Sequence, residues 1–336
     1  MPSARPSLSP GIAPRQSRIM GVGAYRPRRI IPNSEIVEAI DSSDQWIQER
    51  SGIKSRRWAS DDETIIAMST AAAKDALAMA GITADQVSCV LVATVTFMYN
   101  TPAAAPLIAL ELGATNAAAF DISAACAGYC HGISLASDMV KAGTSDYVIV
   151  IGVERLSDFT DPTDRGTAFI FGDGAGAAVV GPSDTVGIGP TVWGAEGARW
   201  DAIVQREPWS EVLAAGKSRP AIVMQGQSVF RWAVWSMAPV AQQAINAAGI
   251  TISDLDAFIP HQANMRIIDS MIKTLKLPEG IPVARDIAET ANTSAASIPL
   301  ATERMLREGQ APHGGLALQI GFGAGLVYAA QVIVLP

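Results

Sequence analysis

Ala72-Ala-Lys-Asp-Ala-Leu-Ala-Met-Ala-Gly-Ile-Thr83 returns later in the chain as Val240-Ala-Gln-Gln-Ala-Ile-Asn-Ala-Ala-Gly-Ile-Thr251. The two copies stand 168 positions apart, and Ala-Gly-Ile-Thr closes both. Each reads as an amphipathic helix stopped by a glycine, Gly81 or Gly249, because glycine takes the left-handed turn that a helix end needs. A polar turn follows, then an apolar strand, Val87 to Val95 in one copy and Leu255 to Pro260 in the other. A second pair keeps the same order. Leu135-Ala-Ser-Asp-Met-Val-Lys-Ala-Gly143 leads to a strand at Tyr147 to Ile151, and Leu300-Ala-Thr-Glu-Arg-Met-Leu-Arg-Glu-Gly309 leads to one at Leu316 to Ile320. Strands that are apolar throughout and alternate with helices imply mostly parallel sheets covered on both faces. The chain therefore reads as two similar α/β halves with their sheets packed together.

Composition agrees with a large buried core. Of 336 residues, 49% are hydrophobic, 17% are charged, and the net charge is −7. A general nucleic-acid binder would carry a basic footprint, which this chain lacks. Gln86 to Leu110 and His313 to Pro336 are free of charge, yet Asn100-Thr101-Pro102 and Pro106 interrupt the first and Gly321 to Gly325 the second. Membrane helices need about 20 unbroken apolar residues, so both stretches read as buried strands and loops, with no membrane partner. Residues 1–17, rich in Pro, Ser and Arg, read as a disordered tail, residues 18–184 as the first half and 185–336 as the second. The three cysteines have no CxxC or Cys/His metal spacing; no metal site is expected, and a reducing cytoplasm fits best.

Cys126 lies where a strand hands over to a helix, within Asp121-Ile-Ser-Ala-Ala-Cys126-Ala-Gly-Tyr-Cys-His. A thiol at a helix start faces unpaired N–H groups and the positive end of the helix dipole. Both favour the thiolate, which is the reactive form, and the small neighbours leave room for a substrate. The other reading is a buried structural cysteine. Cys130, one turn further on, and Cys89 read as core. At the repeat offset, Ala93 at a strand end corresponds to His261, and Cys126 falls near Asn292 to Ser294. Equivalent loops of a pseudo-twofold fold face one another, which would gather Cys126, His261 and Asn292 around one cavity at strand C-termini. Each also has a plain structural reading, His261 as a hydrogen-bonding residue and Asn292 as a cap or turn. Gly172-Asp-Gly-Ala-Gly176 and Gly321-Phe-Gly-Ala-Gly325 are followed by strands rather than helices, which disfavours a dinucleotide site. These glycines read as permitting tight turns and close approach to a ligand.

From about Ile19 to the C-terminus the chain resembles the β-ketoacyl-acyl carrier protein synthase III family of thiolase-like condensing enzymes, in its actinobacterial form. The resemblance rests on Ser42-Ser-Asp-Gln-Trp-Ile47, Ser51-Gly-Ile-Lys54, Asp121 to Gly128, Asp164-Arg-Gly166, Phe171 to Ala177, Gln225-Gly-Gln-Ser-Val-Phe230, Pro260-His-Gln-Ala-Asn264, Asn292 to Pro299 and Gly321 to Gly325. It implies a thiolase-like fold of two duplicated halves, with mixed sheets in an αβαβα arrangement. It also implies a reaction. Cys126 takes an acyl group from acyl-coenzyme A. Malonyl-acyl carrier protein then loses carbon dioxide, and the carbanion attacks the acyl-cysteine to give a 3-ketoacyl-acyl carrier protein, the first step of fatty acid synthesis. His261 and Asn292 donate hydrogen bonds to the developing enolate oxygen, and the backbone N–H groups of Cys126 and Ala324 serve the oxygen at the acyl carbon. No cofactor is implied beyond the two substrates.

The resemblance further assigns Trp46, Arg50 and Arg165 to coenzyme A. It assigns Gln262, Ala263, Asn264, Met265 and Arg266, at the start of a helix running to Lys276, to the acidic carrier protein. Arg266 and Lys273 share a face of that helix, with Asp269 close by. A homodimer is implied. Two departures stand out: Ala291 replaces a glycine common before the Asn, and Thr101 stands at an acyl-pocket position often held by Phe, which points to branched or longer primers. The remaining alternatives are a polyketide-priming or chalcone-synthase-like ketosynthase and a noncatalytic acyl-binding assembly subunit.

Overall fold

The computed structural model describes residues 15–216 and 219–336. The first half runs β1 (Gln16–Tyr25), β2 (Arg29–Pro32), α1 (Asp44–Ser51), β3 (Ser55–Trp58), α2 (Ile65–Ala80), β4 (Cys89–Ala93), α3 (Ala104–Leu112), β5 (Ala118–Ile122), α4 (Gly128–Ala142), β6 (Val148–Arg155) and β7 (Asp173–Ser183). The second runs β8 (Val192–Ala195), β9 (Ile203–Gln205), α5 (Trp209–Ala214), β10 (Ile222–Met224), α6 (Gly226–Ala247), β11 (Ala257–Pro260), α7 (Met265–Leu275), α8 (Ile287–Thr290), α9 (Ser297–Arg307), β12 (Leu316–Gly323) and β13 (Val327–Val334). Of the tail expected over 1–17, residues 1–14 lie outside the described residues. Ser17 already belongs to β1, buried with its hydroxyl 2.8 Å from that of Ser137, so the boundary expected at residue 18 falls inside a strand.

The repeat holds down to its caps. Gly81 (φ +69°) and Gly249 (φ +73°) follow α2 and α6. Thr83 and Thr251 then each open a short 3₁₀ turn with a capping box, closed by Gln86 in one half and Asp254 in the other. The main sheets have the orders β1-β7-β6-β4-β5 and β11-β12-β13-β8. Only β6-β4, β4-β5 and β11-β12 pair in parallel; the other pairings in these two sheets are antiparallel. The sheets are thus mixed rather than mostly parallel.

Five layers result. Helices α2 and α3 cover one face of the first sheet, and α6 and α7 cover the outer face of the second. Helices α4 and α9 lie between the sheets, packed on both. The two sheets pack together through this middle layer, which is made of the two helices that begin at the site, as the αβαβα arrangement requires. Helix α4 fits there because it is apolar or small nearly all round. A Cβ on Gly132 would come within 2.6 Å of Val150, and one on Gly128 within 2.8 Å of Ala93.

The pseudo-twofold axis is visible in two glycines. Gly152 of β6 lies under the 3₁₀ turn Ser294–Ala296 that precedes α9, where a Cβ would meet the Ala295 carbonyl oxygen at 2.1 Å. Gly321 of β12 lies under the turn Ala125–Ala127 that precedes α4, where a Cβ would meet Ala127 Cα at 2.9 Å. Each half supports the other half's turn. The turns begin alike, with Ala125 at φ +44° and Ser294 at φ +48°.

Candidate active site

The turn Ala125–Ala127 presents Cys126 at the end of β5 and the start of α4, half-buried. Gly323 closes over it: a Cβ there would sit 2.8 Å from Cys126 Cβ and 2.9 Å from Sγ. Such contacts normally require about 3.5–4.0 Å, so only glycine lets β12 pass. Ala324 follows directly in the turn between β12 and β13. The other glycine run behaves differently. Cβ atoms on Gly172, Gly174 and Gly176 would meet Thr290 O, Leu300 Cδ1 and Pro299 at 2.4, 3.0 and 2.7 Å. These glycines admit neighbouring protein, not a ligand.

His261 follows β11 and is buried. Its Nδ1 lies 2.7 Å from Ser297 Oγ, and its ring stands edge-on to Phe322 at 5.3 Å. The Ser297 hydroxyl accepts the Gln262 N–H at 3.4 Å, which leaves its own hydrogen for Nδ1. With the hydroxyl assigned as the donor to Nδ1, the neutral ring carries its proton on Nε2. Burial pushes the imidazole down to about 3, because an imidazolium loses its hydration there. The ring is thus a hydrogen-bond donor and a poor base.

Asn292 is held by its backbone between Ile170 O (2.9 Å) and Gly172 N (3.0 Å). Its Oδ1 accepts the Ser294 N–H at 2.8 Å, so the oxygen serves as the turn cap while the amide nitrogen is left to donate. The preceding Ala291 is fully buried at φ +56°, ψ −159°. A non-glycine residue there costs on the order of 1–3 kcal/mol, and the two backbone hydrogen bonds of Asn292 hold the loop against it.

Cys126, His261 and Asn292 line one cavity of about 510 Å³ together with Trp46, Arg50, Phe230, Ala263, Asn264, Arg266, Phe322 and Gly323. A cavity of about 540 Å³ under Phe97–Tyr99 and Pro102 contains none of the three, so volume does not single out the site. Burial works against the expected ionisation of the thiol. Burial pushes Cys126 up to about 12, against a lowering hydrogen bond with Ser294 and a further rise from Glu154. The helix start acts in the opposite direction, toward the thiolate. Cys130 is buried and is likewise pushed up to about 12.

Glu154, which sequence reading passed over, is fully buried at the end of β6. Its carboxylate accepts from Thr96 Oγ1 (2.7 Å), Val95 N (3.1 Å), Thr94 Oγ1 (3.3 Å) and Ser294 Oγ (3.1 Å). Burial lifts it to about 7 despite these four donors. The signal was available: it is the first charge after the apolar run Tyr147 to Val153.

At the mouth, the Arg165 and Arg50 guanidinium carbons lie 5.1 and 5.8 Å from the Trp46 ring centre, and Phe169 braces the ring edge-on at 5.4 Å. Buried Arg56, absent from the sequence reading, bonds the Phe169 carbonyl at 3.0 Å and so fixes that wall. The segment 262–266 divides. Gln262 is fully buried, donates to Pro260 O (2.7 Å) and Ala284 O (3.3 Å), and accepts from Ile287 N. It is unavailable to a carrier protein. Asn264 caps α7 by accepting the Arg266 N–H at 2.9 Å, so the helix begins at Met265 rather than Gln262. Met265 packs where a Gly52 Cβ would lie, 2.5 Å away. Arg266 is exposed and lies over Phe230 at 5.0 Å. Asp269 is paired with Arg285 at 2.7 Å, which removes its charge from the basic face of Arg266 and Lys273. Thr101 is exposed and lies outside the lining of the Cys126 cavity.

Residues 120–197 match the model of 3-oxoacyl-[acyl-carrier-protein] synthase III, and residues 245–335 match the model of its C-terminal region. A β-ketoacyl-[acyl-carrier-protein] synthase III from Streptomyces glaucescens is 60% identical, over 98% of this chain and 99% of that one. The chain belongs to the β-ketoacyl-acyl carrier protein synthase III family. It is therefore a condensing enzyme of the acyltransferase type. Among solved structures, the priming β-ketosynthase of the R1128 polyketide pathway superposes with a TM-score of 0.95 at 49% identity, covering 100% of this chain and 99% of that one. The 3-oxoacyl-[acyl-carrier-protein] synthase III of Aquifex aeolicus VF5 superposes with a TM-score of 0.87 at 36% identity, covering 95% and 99%. Among the described residues, no helix is long and apolar enough to cross a membrane.

Proposed function

We propose that the cavity joins an acyl-coenzyme A primer to malonyl-acyl carrier protein in two half-reactions. Cys126 is acylated first, and coenzyme A leaves. Malonyl thioester then enters, and decarboxylation places negative charge on its carbonyl oxygen. The observation that carries this reading is the pair of unused donors, His261 Nε2 and the Asn292 amide, on the same cavity as the thiol. A neutral imidazole suits that role, since it donates without having to be discharged. The backbone N–H groups of Cys126 and Ala324 serve the oxygen formed at the acyl carbon. No cofactor is called for, because both carbon–carbon bond formation and its driving force come from the thioesters.

Trp46 and Arg165 form the adenine site, with Arg50 beside it for phosphate. The exposed cations Arg266 and Lys273 receive the acidic carrier protein, with Ala263 and Asn264 at the rim. A homodimer is supported by β5. It is the edge of the first sheet, and Phe120 on it is 42% exposed, as is Leu110 of α3 at 63%. An apolar edge strand is a template for pairing with another copy. Thr101 shares the loop after β4 with the exposed Met98 and Tyr99, and it acts on the acyl pocket through that loop. The working compartment is the cytoplasm, where the three thiols stay reduced.

The test is extension. The chain with acetyl- and isobutyryl-coenzyme A and malonyl-acyl carrier protein yields 3-ketoacyl-acyl carrier protein, with the branched primer accepted. Product formed only from free malonyl-coenzyme A would favour the chalcone-synthase-like reading instead.

A further inference from the structure

The two halves of the site differ at one pair of equivalent places. Ala125 and Ser294 open the two 3₁₀ turns with the same backbone, φ +44° and φ +48°. Ala125 has no side-chain hydroxyl, so the turn forms without one. The Ser294 hydroxyl is used elsewhere: it donates to Glu154 Oε1 at 3.1 Å. The supporting strands differ in the same way. Gly323 stands two residues beyond Gly321 on β12, and Glu154 stands two residues beyond Gly152 on β6. Gly323 leaves room for Cys126, whereas Glu154 holds the turn of the other half. Its second oxygen, Oε2, accepts from Thr96 Oγ1 (2.7 Å), Val95 N (3.1 Å) and Thr94 Oγ1 (3.3 Å). Thr94 to Thr96 follow β4 in the first half, so one buried side chain ties that loop to the Ser294 turn. Ser294 carries the tie onward. Its backbone N–H donates to Asn292 Oδ1 at 2.8 Å, the bond that leaves the Asn292 amide nitrogen free to face the cavity.

We propose that Glu154 is a positioning residue for condensation: through Ser294 it fixes the Asn292 carboxamide where its nitrogen meets the enolate oxygen. The inference rests on the acyl-transfer reading of the same site. Glu154 touches no substrate in this role; it serves as a buried acceptor for four neutral donors. Decarboxylation needs the Asn292 donor in place before charge develops, because a donor that must reorient at that moment gives up much of its benefit. Acylation of Cys126 does not use Asn292, so the tie bears on one half-reaction more than on the other. The role also predicts a specific tolerance. The Val95 N–H can only donate. In Glu154→Gln the amide oxygen must therefore face Val95 and Thr96, which turns the NH₂ group toward Ser294 Oγ. A hydroxyl oxygen can accept, so the tie survives with its direction reversed.

Separate half-reactions test the assignment: rapid-quench acylation by isobutyryl-coenzyme A, and single-turnover condensation of the acylated enzyme with saturating malonyl-acyl carrier protein. Ser294→Ala puts into the second turn the residue that Ala125 already places in the first. It should lower the condensation rate at least about tenfold more than the acylation rate. In an Asn292→Ala background the same change should lower condensation by less than about twofold, because the two residues act as one unit. Glu154→Gln should condense about tenfold faster than Ser294→Ala, since it keeps the tie. Equal losses in the two half-reactions would overturn the assignment. So would a full tenfold loss in the Asn292→Ala background, or a folded Glu154→Gln enzyme as slow in condensation as Ser294→Ala. In each of these cases the acyl-transfer reading stands on the acyl adduct. If Glu154→Gln does not fold, the two Ser294→Ala comparisons decide the matter. Absence of any acyl adduct on the unaltered enzyme overturns both.

Discussion

Replacing Gly323 with alanine probes the contact that holds the nucleophile. The added methyl would lie 2.8 Å from Cys126 Cβ, 2.9 Å from Sγ and 3.2 Å from the Cys126 nitrogen. Relief requires movement of roughly 0.7 Å to reach ordinary van der Waals distance. Neither side can yield easily, because β12 is paired on both edges and the Cys126 turn rests on Gly321. Overpacking of this kind costs about 1–3 kcal/mol. The catalytic cost should be larger in proportion, since about 1 Å of misplacement lowers a rate on the order of 10²-fold. Urea unfolding measures the first and rapid-quench acylation of Cys126 the second. Gly197→Ala is the control, since nothing lies within 4 Å of the added atom, and it should change stability by less than about 0.5 kcal/mol. A Gly323→Ala enzyme within that margin of stability, and acylated within threefold of the normal rate, would refute the proposed packing of the nucleophile.

Three further outcomes are expected. His261→Ala and Asn292→Ala should each leave acylation by acyl-coenzyme A largely intact and lower condensation with malonyl-acyl carrier protein by about 10²–10³-fold, measured in separate half-reaction assays. Arg266→Glu should raise KM for malonyl-acyl carrier protein while leaving acyl transfer unchanged; unaltered carrier-protein kinetics would remove α7 from the docking surface. Stability should fall in acid through His261. Its folded value of about 3 lies below the ordinary 6.5, so the unfolded chain binds the proton first and stability drops as pH falls below about 6.5. The loss should be about 2 kcal/mol at pH 5, read as the part of the pH 8-to-5 decline in urea unfolding that disappears in His261→Gln.

Much of the architecture was legible because the duplication is written in local signals. Gly81 and Gly249 end helices, Thr83 and Thr251 open capped turns, and the apolar strands follow each time. What failed to show was whatever depends on depth. The small residues of α4 read as space around a thiol, yet they also let that helix lie between two sheets. The helix start at Cys126 argues for a thiolate, and burial, which no window of sequence displays, acts against it. Gln262 shares a motif with His261, yet its side chain turns inward to tie Pro260 and Ile287. Glu154 stands one residue after an apolar run. Its importance came into view only once the second half brought Ser294 against it.

The most direct test of the account is to incubate the enzyme with isobutyryl-coenzyme A, digest it, and locate the acyl group by mass. The account predicts a thioester that fragmentation assigns to Cys126, none on Cys89 or Cys130, and discharge on addition of malonyl-acyl carrier protein with formation of the 3-keto product. Fragmentation that placed the acyl group on Cys130, or an adduct that malonyl-acyl carrier protein left in place, would contradict it.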